Sequence, residues 1–360
     1  MKGITFGNYH SYDDFRLILG SQEIGSPDIK ENKIKIEGAD GDLDFTDFFG
    51  SPKYENVRHK FNFSTIVPQA EFLSLFSTVK NAIHGKKLRI ILDDDPLFYY
   101  IGRCFVSKFT NEKGIGIVSV ECDCEPYKYK IEKTRHIANL SGKNLLDIDN
   151  LVPVITSAVT LNKFGTGVRV TSQLDSGYMY VALKILPTSM AIGRKISARC
   201  NSVASSTNRP LFALGYATAP TYRVQTSAVT GAVSMAVSAE MAETYQYVVL
   251  FLYGQAVGTG VAGDYVDYND LQVEIGGASE YEPYDNKEKT ISIFLENLKT
   301  PAVPTIISQH EVTITNGEET LIAREEEPLI SPEFQLSEGI NQFNITGIGL
   351  VAFEWQEGGL

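Results

Sequence analysis

Tryptophan is all but missing from this chain, with Trp355 the one instance in 360 residues. Cysteine is scarce as well. The four thiols, Cys104, Cys122, Cys124 and Cys200, are too few and too unevenly placed for a disulfide framework or the usual paired zinc knuckles. Cys122 and Cys124 lie two apart in an alternating stretch, so both point to one face and read as buried free cysteines rather than a metal site. No run of about 18 apolar residues is present to cross a bilayer as a helix, so no membrane insertion is expected. Met1–Phe15 hold one lysine and no apolar core of a secretory signal, which predicts synthesis and assembly in a cytoplasm. His10, His59, His84, His136 and His310 show neither metal spacing nor a Gly-x-Ser-x-Gly partner, and that removes the common nucleophile and zinc constellations. Acids such as Glu240 and Glu243 fall in a polar turn rather than as a pair across a cleft. The expectation is that the chain is not an enzyme.

A net charge of −12 repels a phosphate backbone, and no lysine or arginine stripe offsets it, so specific nucleic-acid binding is not expected. Charge is also unevenly spread. Residues 139–285 contain 21 of the charged side chains in 147 positions, against 55 in the other 213, and they hold 11 of the 18 tyrosines. Such a step in composition marks a separate unit.

Nearly all of the chain reads as strand. Ile34 and Ile36, Phe61 and Phe63, Leu88–Leu92, Phe105–Phe109 and Ile115–Cys124 alternate or run apolar between turn signals. The spacing predicts one helix, Gln69–His84, with Phe72, Leu73, Phe76, Val79 and Ile83 on its apolar side, Pro68 before it and Gly85 after it. The middle segment offers seven more strands: Val168–Val170, Tyr178–Leu186, Ile196–Cys200, Phe212–Tyr216, Val233–Val237, Tyr245–Tyr253 and Leu271–Ile275. Short strands without a helix predict an antiparallel sandwich or jelly roll. Beyond Asp285 the charge density rises again and Asn316-Gly317 marks a hairpin. These last 75 residues are short for a sandwich of their own and predict completion of a unit begun earlier.

Tyrosine supplies the candidate binding surface. Alternation along Tyr245–Tyr253 puts Tyr245, Tyr247, Phe251 and Tyr253 on one face. Tyr178 and Tyr180 share another strand face, and Tyr216, Tyr222 and Tyr265 lie near strand ends. A tyrosine face can stack sugar rings while hydroxyls meet their polar edges; burial of both faces in a core is the competing reading. Asp264, Asp267, Asn269 and Asp270 crowd one loop, where Asp267 and Asp270 are candidate ligands of a structural calcium, with a solvated turn as the competitor. Glu318-Glu319 and Glu325–Glu327 read as solvated surface.

Several short pieces, in order, resemble the distal tail proteins of siphophages. They are Gly3–Ser11 with Phe15–Leu19, then Lys30–Ile36, then Gly38–Phe45, followed by Tyr54, Arg58, Phe61-Asn62-Phe63 and the stretch Cys122–Tyr129. The resemblance covers roughly the first 130 residues and more loosely the last 75. It implies a mostly β chain with a ring-forming belt domain at 1–132 that carries one helix. It also implies a galectin-like sandwich split between 133–142 and 286–360. An inserted jelly roll at 143–285 resembles carbohydrate-binding modules, opening at Asn144-Leu145-Leu146 and closing at Tyr268–Glu274 and Tyr281–Tyr284. The function implied is a hexameric hub in the virion tail tip, in contact with the tail tube, tape-measure and tip lysin proteins, whose insert meets host surface polysaccharide. A hub whose insert only braces its neighbours, and a carbohydrate-active enzyme with accessory sandwiches, are the alternatives.

Overall fold

The computed structural model shows a mostly β chain with one α-helix among the described residues. These are all residues except 1, 39, 47, 49–51, 66, 113, 176, 206–209, 219–221, 231–233, 241–244, 256–259 and 318; the side chains of Glu112 and Gln255, and those within 222–240 apart from Gln225 and Ala228, are also outside the description.

Strict alternation along Val57–Thr65 drives Val57, His59, Phe61 and Phe63 inward and Arg58, Lys60 and Asn62 outward. This strand pairs with Ile115–Lys130, which pairs with Phe98–Glu112, at the centre of an eight-stranded sheet that also contains Ile4–Phe6, Tyr9–His10, Leu17–Glu23, Lys87–Leu92 and Gly358–Gly359. The helix occupies Phe72–Ile83 after a 3-10 turn at Gln69–Glu71. Phe72, Val79 and Ile83 are buried, whereas Leu73 is 71% exposed. Leu73 sits about 100° around the axis from Phe72 and so leaves the stripe that faces the sheet. Gly85 ends the helix at φ 75°, a left-handed turn that glycine adopts without cost.

Cys122 and Cys124 do share the inner face, joined by Cys104, the direct cross-strand partner of Cys122, with the two sulfurs 3.4 Å apart. Burial raises the Cys124 thiol to about 12. The Cys104 hydrogen bond and then burial carry Cys122 higher still. Such thiols stay protonated and act as small apolar side chains.

From this sheet an arm projects. No described residue from Gly20 to Asn56 is buried; after Glu23 leaves the sheet, the described residues form one short hairpin, Lys33–Lys35 with Asp42–Asp44, and an isolated bridge between Ile29 and Tyr54. Ile34 faces Leu43 across that hairpin, and both are about half exposed.

The middle segment packs two five-stranded antiparallel sheets face to face. One runs in the order Pro153–Ser157, Met179–Pro187, Tyr247–Gln255, Leu211–Thr218, Tyr222–Thr230; the other runs Val159–Phe164, Gly167–Ser172, Tyr265–Ile275, Lys195–Ala204, Ser234–Glu240. Leu183, Leu214, Leu250 and Leu252 from the first meet Val170, Ala198, Val266 and Val273 from the second. Tyr268 is fully buried between them; its hydroxyl lies 2.7 Å from the Tyr253 carbonyl and 2.8 Å from that of Leu211, and accepts the Tyr253 N–H at 3.1 Å.

Thr134–Asn139, before this segment, pairs with Leu350–Trp355 at the far end of the chain. Their sheet shares one core with that of Lys289–Asn297, Gly339–Gly347, Val312–Thr315 and Thr320–Ala323, built on Leu295, Ile314, Phe334, Phe343, Phe353 and Trp355. The two ends of the middle segment therefore meet. Asn144, fully buried, uses its whole amide as a clamp. Its Nδ2 donates to the carbonyls of Leu271 and Glu282 at 3.2 Å each, and its Oδ1 accepts the N–H groups of Leu146 and Val273 at 3.1 Å each. Lys143 pairs with Glu282 at 2.7 Å.

The middle segment is not detached from its host. Leu350 and Ala352 belong to its hydrophobic cluster, and Gln309 donates to the Ile185 carbonyl at 3.1 Å. Lys184 pairs with Glu326 at 2.6 Å and Glu325 at 3.7 Å. Of the acids expected to be solvated surface, Glu319, Glu325 and Glu327 are exposed, while Glu326 holds the middle segment through a cation 142 residues away. Glu318 lies outside the described residues.

Candidate functional site

The strand Tyr247–Gln255 sends Val248, Leu250 and Leu252 into the main core and Tyr247, Val249, Phe251 and Tyr253 to the other face of its sheet. On that second face Tyr253 meets Tyr180 at 5.1 Å between ring centroids and Tyr178 edge-on at 6.4 Å; Tyr180 also meets Phe251 at 6.0 Å. Ala182, Ala213 and Ala217 lie between the aromatic rows and are fully buried.

The structure divides the tyrosines of that expected face between core and surface. Tyr253 and Tyr180 are 5% and 6% exposed, so both are core residues in this structure, while Tyr178 is 65% exposed at the rim. Tyr245 does not join the face. The strand starts at Tyr247, so alternation does not extend back to Tyr245, which stacks on buried Tyr216 at 5.0 Å and packs against the main core. Tyr216 is likewise a core residue. Tyr247 is half-buried, with Lys184 Nζ 5.6 Å from its ring centroid and the Gln246 amide 3.0 Å from its hydroxyl. Tyr222 begins a strand, but its side chain lies outside the described residues, as do the Glu240 side chain and Glu243.

What remains accessible is a rim. Tyr178 stands out from the sheet beside the buried Tyr253, whose hydroxyl receives the Gln225 amide at 2.5 Å. Leu174 and Val261, 57% and 58% exposed, add apolar surface in the same stretch of chain and the facing loop, the loops being joined where Asp175 accepts the Ala262 N–H at 3.0 Å. An exposed ring beside apolar loop positions suits a sugar's C–H face.

The proposed cation ligands do not converge. Asp267 is 5% exposed and takes a bidentate contact from Arg169 at 2.6 and 2.8 Å. That guanidinium is itself sandwiched, 3.8 Å from the Tyr265 ring centroid and 4.3 Å from that of Phe164. Tyr265 is thereby engaged as a structural ring. Asp270 adopts φ 50° beside a bulge and accepts from Thr166 Oγ1 at 2.8 Å and Asn201 Nδ2 at 2.7 Å. Both carboxylates already face hydrogen-bond donors, which a cation would have to displace. Among the described residues, no three His, Cys, Asp or Glu side chains gather into a cation site. Arg169 is 98 residues from Asp267, so no local sequence signal announces the pairing.

No family profile and no curated protein matches the chain. Among solved structures, it is similar to the Dit protein of phage SPP1, described as a paradigm of the hub adsorption apparatus in phages infecting Gram-positive hosts. The identity is 12% and the TM-score 0.32, covering 76% of this chain and 99% of that one. It is also similar to the exported protein XepA of PBSX, at 9% identity and TM-score 0.18 over 56% of this chain and 94% of that one. A triple jelly roll protein of an archaeal virus turret aligns at 11% identity and TM-score 0.16, over 93% and 90% of the two chains.

Proposed function

We propose that the chain is a structural component of a phage tail tip, a ring-forming hub whose insert meets saccharide on the host surface. The observation that carries the ring is the arm. Gly20–Asn56 has no buried described residue, yet Ile29, Ile34, Ile36, Leu43 and Phe48 are each 47% exposed or more. A two-stranded hairpin is marginal alone, and an apolar one is a docking element for another protein. A neighbouring copy of the chain would bury it, and repetition around a closed ring leaves no arm unpaired. The ordered run of short motifs shared with siphophage distal tail proteins points to six copies. The same resemblance supplies the tail tube, tape-measure and tip lysin proteins as the further neighbours, and the virion as the location.

The insert's part rests on Tyr178 and its rim. One such site gives weak binding, and about six on one ring raise avidity by orders of magnitude when they reach a common surface. Binding of the full chain to host cells, compared with a Tyr178→Ala variant, tests this: the variant should lose cell binding while its melting curve is unchanged. Equal binding by both proteins would favour the second reading, in which the insert braces adjacent tail proteins through exposed apolar positions such as Val203, 55% exposed.

A further inference from the structure

Two wide clefts lie where the insert meets the split sandwich, away from the tyrosine rim. Two overlapping hollows, of about 610 and 460 Å³, share Arg135, Ile192 and Gly193. One wall is the start of the Thr134–Asn139 strand; the other is the turn Ile192–Lys195. In a chain of net charge −12 the described lining of this cleft is cationic, with Lys133, Arg135, Arg194 and Lys195 against Glu132 and Glu354.

The charges are arranged in two tiers. Glu354 is a half-buried anchor that accepts from Lys133 at 2.6 Å and from Arg135. Burial would raise its carboxyl, but those two cations hold it below the usual carboxylate range. One carboxylate therefore orients two cations. Opposite them, Arg194 and Lys195 make no ion pair among the described residues. Gly193, at φ 67°, turns the chain so that both follow directly into the cleft wall. Arg194 reaches toward the other wall, since its charge, after burial, helps depress the His136 imidazole. Ile192 and Ile275 supply an apolar lining between the charges.

We propose that this cleft is a second binding site, for an anionic oligosaccharide: sugar or polyol units that carry phosphate or carboxylate groups. Guanidinium and ammonium groups pair with the anions, and the isoleucines receive C–H faces. A hollow of several hundred Å³ is oversized for an inorganic ion and fits a ligand of a few units. An acidic peptide would bind through main-chain pairing along a strand, and it is the competing occupant. The site needs nothing from the tyrosine rim.

The test is calorimetric titration of the full chain with four probes: oligo(glycerol phosphate), oligogalacturonate, an uncharged dextran oligomer and poly-glutamate. At least one anionic carbohydrate should bind, with the better of the two identifying the anion, and its affinity should fall as salt rises. The Arg194→Ala/Lys195→Ala variant should weaken that binding about tenfold or more, and Lys195→Glu should do the same. Tyr178→Ala should leave it unchanged, which separates this site from the rim. Arg194 precedes a strand and Lys195 opens it, neither with an ion pair among the described residues, and an unchanged melting curve verifies that the variants fold. The proposal is overturned if neither anionic carbohydrate binds. It also fails if dextran or poly-glutamate binds as tightly, or if the double variant binds like the parent.

Discussion

Replacing Asn144 by alanine should loosen the insert at its base. The side chain is fully buried and spends all four of its hydrogen-bonding positions, two on carbonyls and two on amides drawn from residues 146 to 282. Alanine leaves two N–H groups and two carbonyls without partners in a site closed to bulk water. With a net loss of about 1 kcal/mol for each bond and more wherever a group stays desolvated, the cost is about 4 kcal/mol. For a unit of this size that corresponds to a drop of about 10 °C in its melting temperature. The assay exploits the uneven placement of chromophores. The middle segment holds 11 of the 18 tyrosines and no tryptophan, whereas Trp355 lies in the core of the split sandwich. Tyrosine near-ultraviolet dichroism should therefore report the early transition, and tryptophan fluorescence a later one. An unchanged tyrosine transition would refute the clamp. A joint shift of both signals would instead show that Leu350 and Ala352 bind the two units into one cooperative block.

Three other outcomes are expected. Ile34→Ser with Leu43→Ser removes the paired apolar face of the arm hairpin; at about 1 kcal/mol for each half-exposed side chain, ring dissociation should rise roughly 30-fold in a sedimentation series, with no change in melting temperature. His59 is buried, its Nε2 has no hydrogen-bond partner among the described residues, and burial lowers its affinity for a proton. Its contribution is thus full above about pH 6.5, the ordinary histidine value, and lost as pH falls from there through the lower folded value; His59→Phe should flatten that part of the stability profile of the first sheet. Arg169→Met should strand the carboxylate of Asp267, 5% exposed, and lower the insert's melting temperature, whereas the double change Arg169→Met/Asp267→Leu should recover much of the loss.

Local patterns in the sequence were enough to find the helix, the inward cysteines and most strands, because each depends on periodicity within a few residues. Tyr222–Thr230 gives no clear strand signal, because Gln225, Thr226 and Ser227 interrupt its apolar alternation. Alternation carried back from Tyr247 puts Tyr245 on the wrong face, because the strand begins two residues after it. Helical spacing alone includes Leu73 in the apolar stripe, because nothing in the sequence reveals how much of a helix a sheet will cover. The features that most changed the picture of the sites are all long-range. Arg169 on Asp267, Lys184 on Glu326 and the cationic cleft between residues 133–135 and 192–195 join positions far apart in sequence, and only the fold brings them together. Tyrosine abundance was legible, but its partition between core and rim was not: Tyr180, Tyr216 and Tyr253 are core, and Tyr178 is exposed.

The central claim is that the exposed arm exists to close a ring, and the native mass of the full chain tests it most directly. Across a concentration series the mass should converge on six copies, with the arm's amides protected from hydrogen exchange in the assembled species and exposed in the monomer. A chain that remains monomeric at the highest concentrations, with its eight-stranded sheet folded and its arm unprotected, would contradict the account.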